Sequence, residues 1–584
     1  GEFLARCIRH LEGTGEMGAC KKLTIAVVVL LVALLVPPLV LRERLNVWAV
    51  KDPSTLDGAT YDYIVVGTGP AGCVVAGTLA REGFRTLVLE RGGADHLAYV
   101  ADPVVAPSAF AELRSSPLVR LVNTTAQAGL GGRALELTEP YVAGGGGSVG
   151  WSVYMRSCDA LYDTWAALGN ANWAWQDMDV FWKIAGGATD LTPAFVSDVS
   201  QSIMGGATMA GVKVYRSPSQ WLSMMIEGFG TLMTTAHVDE RSSPLELLRW
   251  TLQHNSPFLD LALHSTAKRV LFDDDEATGV EFEVKGELMR AYASAEVILS
   301  AGTIGSPSIL MRSGVGPERL LAKLGVPVFK SLLGVGSNLQ DHVMVPVAHN
   351  LKQGGSSIHS MDSYQDRLAY SLFGEGLVSS NLLEVGGLLK SSPDREVLDL
   401  ELLGGPLWFV DHAYAPPTTE TSTLDGATLL ASLAQPRSTG HLLWESAEAE
   451  PLIDPAYLTE EADVDALLVG LKLARQIMSN AEDSLVGDEE LPGMLVQSDD
   501  ELKVYIREHA LAGHDLSGTC KMGPARDKTA VVDSKLRVHG LRRLRVADLS
   551  ICPTSPNGQG LATATMIGAK LADMIVEQDE SPAA

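Results

Sequence analysis

Residues 61–92, YDYIVVGTGPAGCVVAGTLAREGFRTLVLERG, constrain this chain more than any other segment, because they read as a strand, a glycine turn, a helix and a second strand ending on a carboxylate. Residues 61–66 are a short β-rich run, so Gly67-Thr68-Gly69-Pro70-Ala71-Gly72 falls where strand passes into helix, the context in which G-x-G-x-x-G docks an adenine dinucleotide. The glycines have separate reasons. Gly67 permits the tight turn, Gly69 lets the backbone approach a pyrophosphate, and Gly72 allows helix to pack closely on strand, while the helix N–H groups face the phosphate charge. Residues 86–89 form the next strand, Glu90 ends it and Arg91 follows. A carboxylate at that point accepts both ribose hydroxyls, which favours FAD or NAD and disfavours a 2′-phosphate.

A chain of 584 residues exceeds one simple core, and two intimately packed domains are the expectation. The formal charge of −26 excludes nucleic acid as a partner, since phosphate would be repelled. Six widely spaced cysteines with no C-x-x-C suggest neither a zinc site nor a disulfide framework, so no metal is expected. Residues 23–41 are apolar except for Thr24, follow Lys21-Lys22 and precede Arg42-Glu43-Arg44. Such a run is long enough to cross a bilayer as one helix, and a single-pass membrane anchor in an unassigned organelle is the expectation. Pro37-Pro38 makes a removed targeting segment the competitor. The chain opens on Gly1, which suggests a processed or incomplete N-terminus.

The organisation that follows is a tail over 1–22, the anchor over 23–41, and a dinucleotide domain in three pieces, 57–185, 258–342 and 512–576. Between them lie a helical cover on the substrate side, 186–257, and a substrate domain, 343–511, with a tail over 577–584. Alternating apolar residues in 268–284 and 295–299 predict strands returning to the dinucleotide domain. Strand-like runs at 428–433 and 441–444, with a helix over 463–478, predict a separate substrate-side sheet.

Four more segments, in order, resemble one family. They are the run from Gly302 through Pro317 (GTIGSPSILMRSGVGP), the loop Gly334 to His342 (GVGSNLQDH), Pro436-Arg437-Ser438-Thr439-Gly440 with 451–458, and 531–553, which carries Val546-Ala547-Asp548-Leu549-Ser550. Together with the dinucleotide motif they resemble the glucose-methanol-choline (GMC) oxidoreductases, flavoenzymes that oxidise alcohols, over nearly all of 61–576. The resemblance implies an α/β fold in which a Rossmann-like FAD-binding domain is interleaved with an α+β substrate domain of mixed sheet plus helices, here preceded by one N-terminal transmembrane helix. It also implies non-covalent FAD and a small-molecule alcohol as substrate. The implied cofactor residues are Gly67, Gly69, Gly72, Glu90, Arg91, Gly147, Ser148, Trp151, Gly302, Asp548 and Gln559. Turn capping is the alternative reading for Asn338, His342 and Asp548.

The reaction face departs from that pattern. Alcohol oxidation by hydride transfer needs a neutral base and a second hydrogen-bonding group near flavin N5. The family places a histidine three residues before Gly-Thr-Cys, yet here that residue is Asp515, in Gly513-His514-Asp515-Leu516-Ser517-Gly518-Thr519-Cys520. His514 is the candidate base if the backbone bulges, because one residue of slip in an extended segment reverses the side chain. The family's partner Asn or His aligns on Gln559, with Asn557 a weaker stand-in. In the glycine-serine loop, Gly144 to Arg156, Gly150 replaces an asparagine and Trp151 adds a ring, while Ile184-Ala185-Gly186-Gly187 lacks the usual glutamate. Three functions therefore stand: an FAD-dependent CH-OH oxidoreductase with His514 and Gln559 as its pair, a catalytically altered subunit of a larger membrane protein complex, and a flavin-dependent fatty acid photodecarboxylase-like enzyme.

Overall fold

The computed structural model describes residues 50–95, 113–187, 191–193, 195–215, 226–235, 242–254, 256–352, 380–409, 426–482 and 484–580. Strand Thr60–Val66 lies at the centre of a seven-stranded sheet, paired in parallel with Thr86–Leu89 on one side and Glu287–Leu299 on the other. Covered on both faces, it reads as a continuous apolar run, and Ile64, Val65 and Val66 are buried. Leu259–Ala262 extends the sheet beyond Thr86–Leu89, again in parallel. Glu287–Leu299 does double duty. Its first half closes an antiparallel meander with Glu276–Val284 and Thr266–Asp273, and its last residues pair in parallel with Leu544–Val546. Five strand ends thus face the same edge, where ligands bind in open parallel sheets.

Small residues let helices cover this sheet closely. Helix Pro70–Arg81 meets helix Pro244–His254 at Gly77, where an added Cβ would lie 3.1 Å from Leu247. It meets helix Gly560–Glu580 at Gly568, where a Cβ would lie 2.5 Å from the Ala71 carbonyl oxygen.

A second, eight-stranded sheet runs in the order Val486–Leu491, Val343–Leu351, Gly426–Leu433, Leu400–Gly405, Val385–Leu389, Gly228–Thr231 and Val214–Tyr215, with Leu511–Ala512 also on Val343–Leu351. Helix Glu461–Ser479 covers one face, where Gly470 lies against Leu400 and Ala431. The opposite face carries two cross-strand rows fixed by register, Met344–Ser432–Glu401 and Pro346–Leu430–Leu403. That face looks into the cavity described below.

The 186–257 stretch, expected as helical cover, is divided between the two halves. Gly228–Thr231 pairs with Val385–Leu389 in the substrate-side sheet, whereas Pro244–His254 packs on the dinucleotide helix. The tail expected from 577 is helical as far as Glu580, since Gly560–Glu580 continues through it. The expected transmembrane helix is unsupported: no helix among the described residues is long and apolar enough to cross a membrane, and 23–41 lies outside them.

Candidate active site

The sheet edge opens into a cavity of about 410 Å3 that reaches from Gly67 and Glu90 to Glu401, Asp515 and Gln559. Three helices begin at its wall, at Pro70, Gly302 and Gly560. Their unpaired first N–H groups make the wall suited to anionic groups.

At one end backbone does the shaping. Gly67 has φ +102°, and a Cβ there would lie 2.4 Å from the Ser300 carbonyl oxygen. Gly69 is the N-cap of Pro70–Arg81, with no side chain competing for the helix N–H groups. Gly145, at φ +54°, abuts the Gly69 Cα, so two glycine loops form the floor. Thr68 ties them together: its hydroxyl accepts from Gly144 N–H at 3.1 Å and donates to Glu90 Oε2 at 2.6 Å. Thr68 N–H and Gly92 N–H also hold the Glu90 carboxylate, at 2.9 and 2.7 Å, with Glu90 still lining the cavity. Arg91 lines it as well, its guanidinium 4.1 Å over the Tyr141 ring and paired with Glu139 at 2.6 Å. Asp548 Oδ2 accepts from Gly302 N–H at 3.0 Å and Ser306 Oγ at 2.6 Å, while Oδ1 accepts from Ser550 N–H at 2.8 Å. Burial raises the Asp548 pKa against those donors.

Two expected contacts act at one remove. Ser148 is buried with its hydroxyl donating to the Ala143 carbonyl at 2.7 Å, so it fastens the glycine loop and does not line the cavity. Gly72 does not line it either; a Cβ there would lie 2.2 Å from the Gly67 carbonyl oxygen, so its absence lets helix meet turn. Gly147 and Trp151 line the wall, and the Trp151 ring lies 5.5 Å from that of Phe409.

At the other end the wall is made of buried titratable side chains. Gln559 Nε2 donates to Glu401 Oε1 at 2.8 Å. Asp515 Oδ1 accepts from Gly560 N–H at 3.0 Å, and Asp515 Oδ2 lies 3.5 Å from His342 Nδ1. The same Nδ1 is 3.8 Å from Glu401 Oε2, and His342 Nε2 lies 2.7 Å from the Pro556 carbonyl. A carbonyl only accepts, so Nε2 carries the hydrogen toward Pro556; the ring also meets the Ala434 carbonyl, its Nδ1 lies near the two acids, and burial lowers its pKa. Burial lifts Glu401 to about 8, with Gln559 opposing, and lifts Asp515 to about 7, with Gly560 N–H opposing. Behind them Asp341 is raised to about 6 by burial; it accepts from the Tyr457 hydroxyl and from Asp515 N–H, the latter at 2.7 Å.

His514 lines the cavity too, with its backbone in the left-handed region at φ +62°. Its Nδ1 accepts from Thr138 N–H at 3.4 Å, and burial depresses its pKa to about 4. Asn557, the weaker stand-in for Gln559, accepts from Cys158 N–H at 3.0 Å and donates to the Leu398 carbonyl at 2.8 Å, away from the cavity lining. Asn338 spans the Gly518 and Pro553 carbonyls at 3.3 Å each, a turn-holding role.

Comparison with known proteins decides the family. Profiles described as GMC oxidoreductase match residues 61–344 and 436–568. Human choline dehydrogenase, mitochondrial, is 33% identical over 568 residues, covering 92% of this chain and 93% of that protein. This chain is a GMC oxidoreductase. The fold agrees: formate oxidase superposes with a TM-score of 0.79 at 24% identity, covering 89% of this chain and 99% of that one. Pyridoxine 4-oxidase from Mesorbium loti gives 0.75 at 22%, covering 88% and 99%.

FAD is the cofactor of this GMC oxidoreductase. The residues fit it. Helix N-termini and the Gly69/Gly145 floor suit a diphosphate, and Glu90 suits ribose hydroxyls. Ser152, Ser300 and Ser432 line the cavity with hydroxyls that are buried and have no hydrogen-bond partner among the described residues. Sequence reasoning missed Thr68, Glu401 and Ser432. Thr68 lay inside the motif, where its hydroxyl beside Glu90 could have been noticed. Glu401 sits in Leu400–Gly405, where a lone acid in an apolar strand was the available signal.

Proposed function

We propose that this GMC oxidoreductase oxidises the CH–OH group of a small alcohol, with a hydride passing from the carbinol carbon to flavin N5. Bound FAD supplies the hydride acceptor, and the chain supplies orientation, a dry cavity and a place for the hydroxyl proton. The observation that carries the reading is the convergence of Glu401, Gln559 and Asp515 on the same cavity that the cofactor loops line. Gln559 is held by Glu401 through one amide hydrogen, which leaves its carbonyl oxygen and second hydrogen to orient a substrate hydroxyl. Trp151 and Phe409 supply an apolar wall beside the acids, a combination that accepts a short chain or a cationic head. Choline, the substrate in the name of the human relative, therefore heads the panel to test.

The test is anaerobic mixing of the purified flavoprotein with choline and with primary and secondary alcohols. Bleaching of the flavin absorbance with formation of the matching carbonyl product is expected. Flavin that stays oxidised with every alcohol, in a folded holoprotein, removes the CH–OH oxidation reading and leaves the catalytically altered subunit.

A further inference from the structure

Resting on that reading, we infer that Asp515, and not His514, receives the hydroxyl proton of the substrate, with Glu401 and His342 holding the charge around it. Asp515 lines the cavity, and its carboxylate is anchored at the start of helix Gly560–Glu580 by Gly560 N–H, one residue from Gln559. Its position is fixed from behind as well, because its own N–H donates to Asp341. His514 also lines the cavity, but its Nδ1 is taken by Thr138 N–H of strand Glu136–Pro140, at 3.4 Å.

The groups around Asp515 explain why a carboxylate can serve there. His342 Nδ1 faces both Asp515 and Glu401, and a neutral nitrogen between two ionised acids would be repelled by both. The cluster therefore holds a proton in its resting form, shared among His342, Glu401 and Asp515, with Asp341 and Tyr457 behind it. Its apparent titrations belong to the set and not to one residue. The cations lining the cavity, Arg91 and Arg312, are engaged by Glu139 and Glu450. Burial raises the proton affinity of Asp515 far above that of a solvated carboxylate, which brings it close to neutrality, where a base is most effective.

The step balances. The O–H bond of the alcohol breaks and its proton passes to an Asp515 oxygen. With FAD bound as the acceptor, the carbinol C–H electron pair would leave as hydride and the carbonyl would form, while Asp515 becomes a neutral acid that returns its proton to solvent when the product departs.

Two measurements on the holoenzyme test this. The first is the anaerobic reduction rate against pH: the wild type rises about tenfold per unit below about pH 7 and levels above it. Asp515→Asn, which still accepts from Gly560 N–H, falls by about 10²–10⁴-fold and loses that limb. His514→Ala keeps the limb whatever its rate, because a base with the low proton affinity of His514 would give a flat profile there. The second needs no substrate. The visible spectrum of bound flavin, followed from about pH 5 to about pH 9, shows a step near pH 7 in wild type and in His514→Ala whose midpoint shifts in Asp515→Asn, where the other acids of the cluster still titrate. Should the Asn variant not hold flavin, Asp515→Glu shifts the midpoint of the step.

A rate limb that survives Asp515→Asn, a step whose midpoint is the same in wild type and in both Asp515 variants, or a limb lost in His514→Ala overturns the assignment. Bleaching of wild type and Asp515→Asn at equal rates overturns the base role alone. Wild-type flavin bleached by no alcohol overturns the functional reading and the base role with it.

Discussion

The two ends of the cavity are built from different materials. The nucleotide end is backbone: glycines at Gly67, Gly69 and Gly145, helix N-termini, and one carboxylate locked by main-chain donors. The reaction end is side chains, and acidic ones, brought from the strand containing Glu401, the loop at Asp515 and the turn at Gln559. The first kind of site tolerates almost no added atom, because close approach of main chain leaves no room to relax. The second contributes little to folding and even opposes it, because acids without water resist ionisation.

The largest break in that comparison comes from Gly72→Val. Its Cβ falls on the Gly67 carbonyl with no flexible neighbour to yield, so helix and turn must separate. The expected outcome is colourless, poorly folded protein, a loss of about 3–5 kcal/mol or more, read from the visible-to-ultraviolet absorbance ratio and a urea titration. Next is Asp548→Ala, which strips the acceptor from Gly302 N–H, Ser306 Oγ and Ser550 N–H. Each buried donor left unmade costs about 1–3 kcal/mol, offset in part because the buried carboxyl's desolvation cost goes with it, so the net loss should be about 1–3 kcal/mol together with flavin affinity, measured by urea unfolding and by flavin retention on dilution.

The smallest effect has the opposite sign. Glu401 in the folded protein is raised from 4.5 to about 8, so it keeps a proton that the unfolded chain has released. Stability from this group falls as pH rises from about 4.5 to about 8 and stays lost above that. Glu401→Gln preserves an acceptor for Gln559 and removes the ionisation. Its melting temperature should exceed that of wild type at about pH 9 and converge on it near pH 4. A variant less stable at every pH would show that the acid end supports the fold after all.

The dinucleotide half was legible because its determinants are local. Strand, turn, helix and carboxylate follow one another within 61–92, and each residue type is demanded by its immediate neighbours. The long strands around 266–299 were similarly visible through alternation. The reaction end resisted for a physical reason: Gln559 and Glu401 are 158 residues apart, and so is the chance of reading their bond from either segment. His514 was the natural choice of base on residue type. A left-handed φ at His514 places its ring on the Thr138 side while Asp515 meets the helix start, and no spacing rule encodes that. Ser148 was assigned to the cofactor from its loop, although its hydroxyl turns inward to Ala143.

The amino-acid sequence by itself determined the cofactor fold and the family, since glycine spacing and strand periodicity are set by sterics between near neighbours. Only the tertiary structure decided which acids share the cavity, which of two adjacent residues faces Gln559's side, and what their burial does to their protons. Burial and long-range proximity arise from how the two sheets close on each other, and a titration follows the surroundings of a group, not its name.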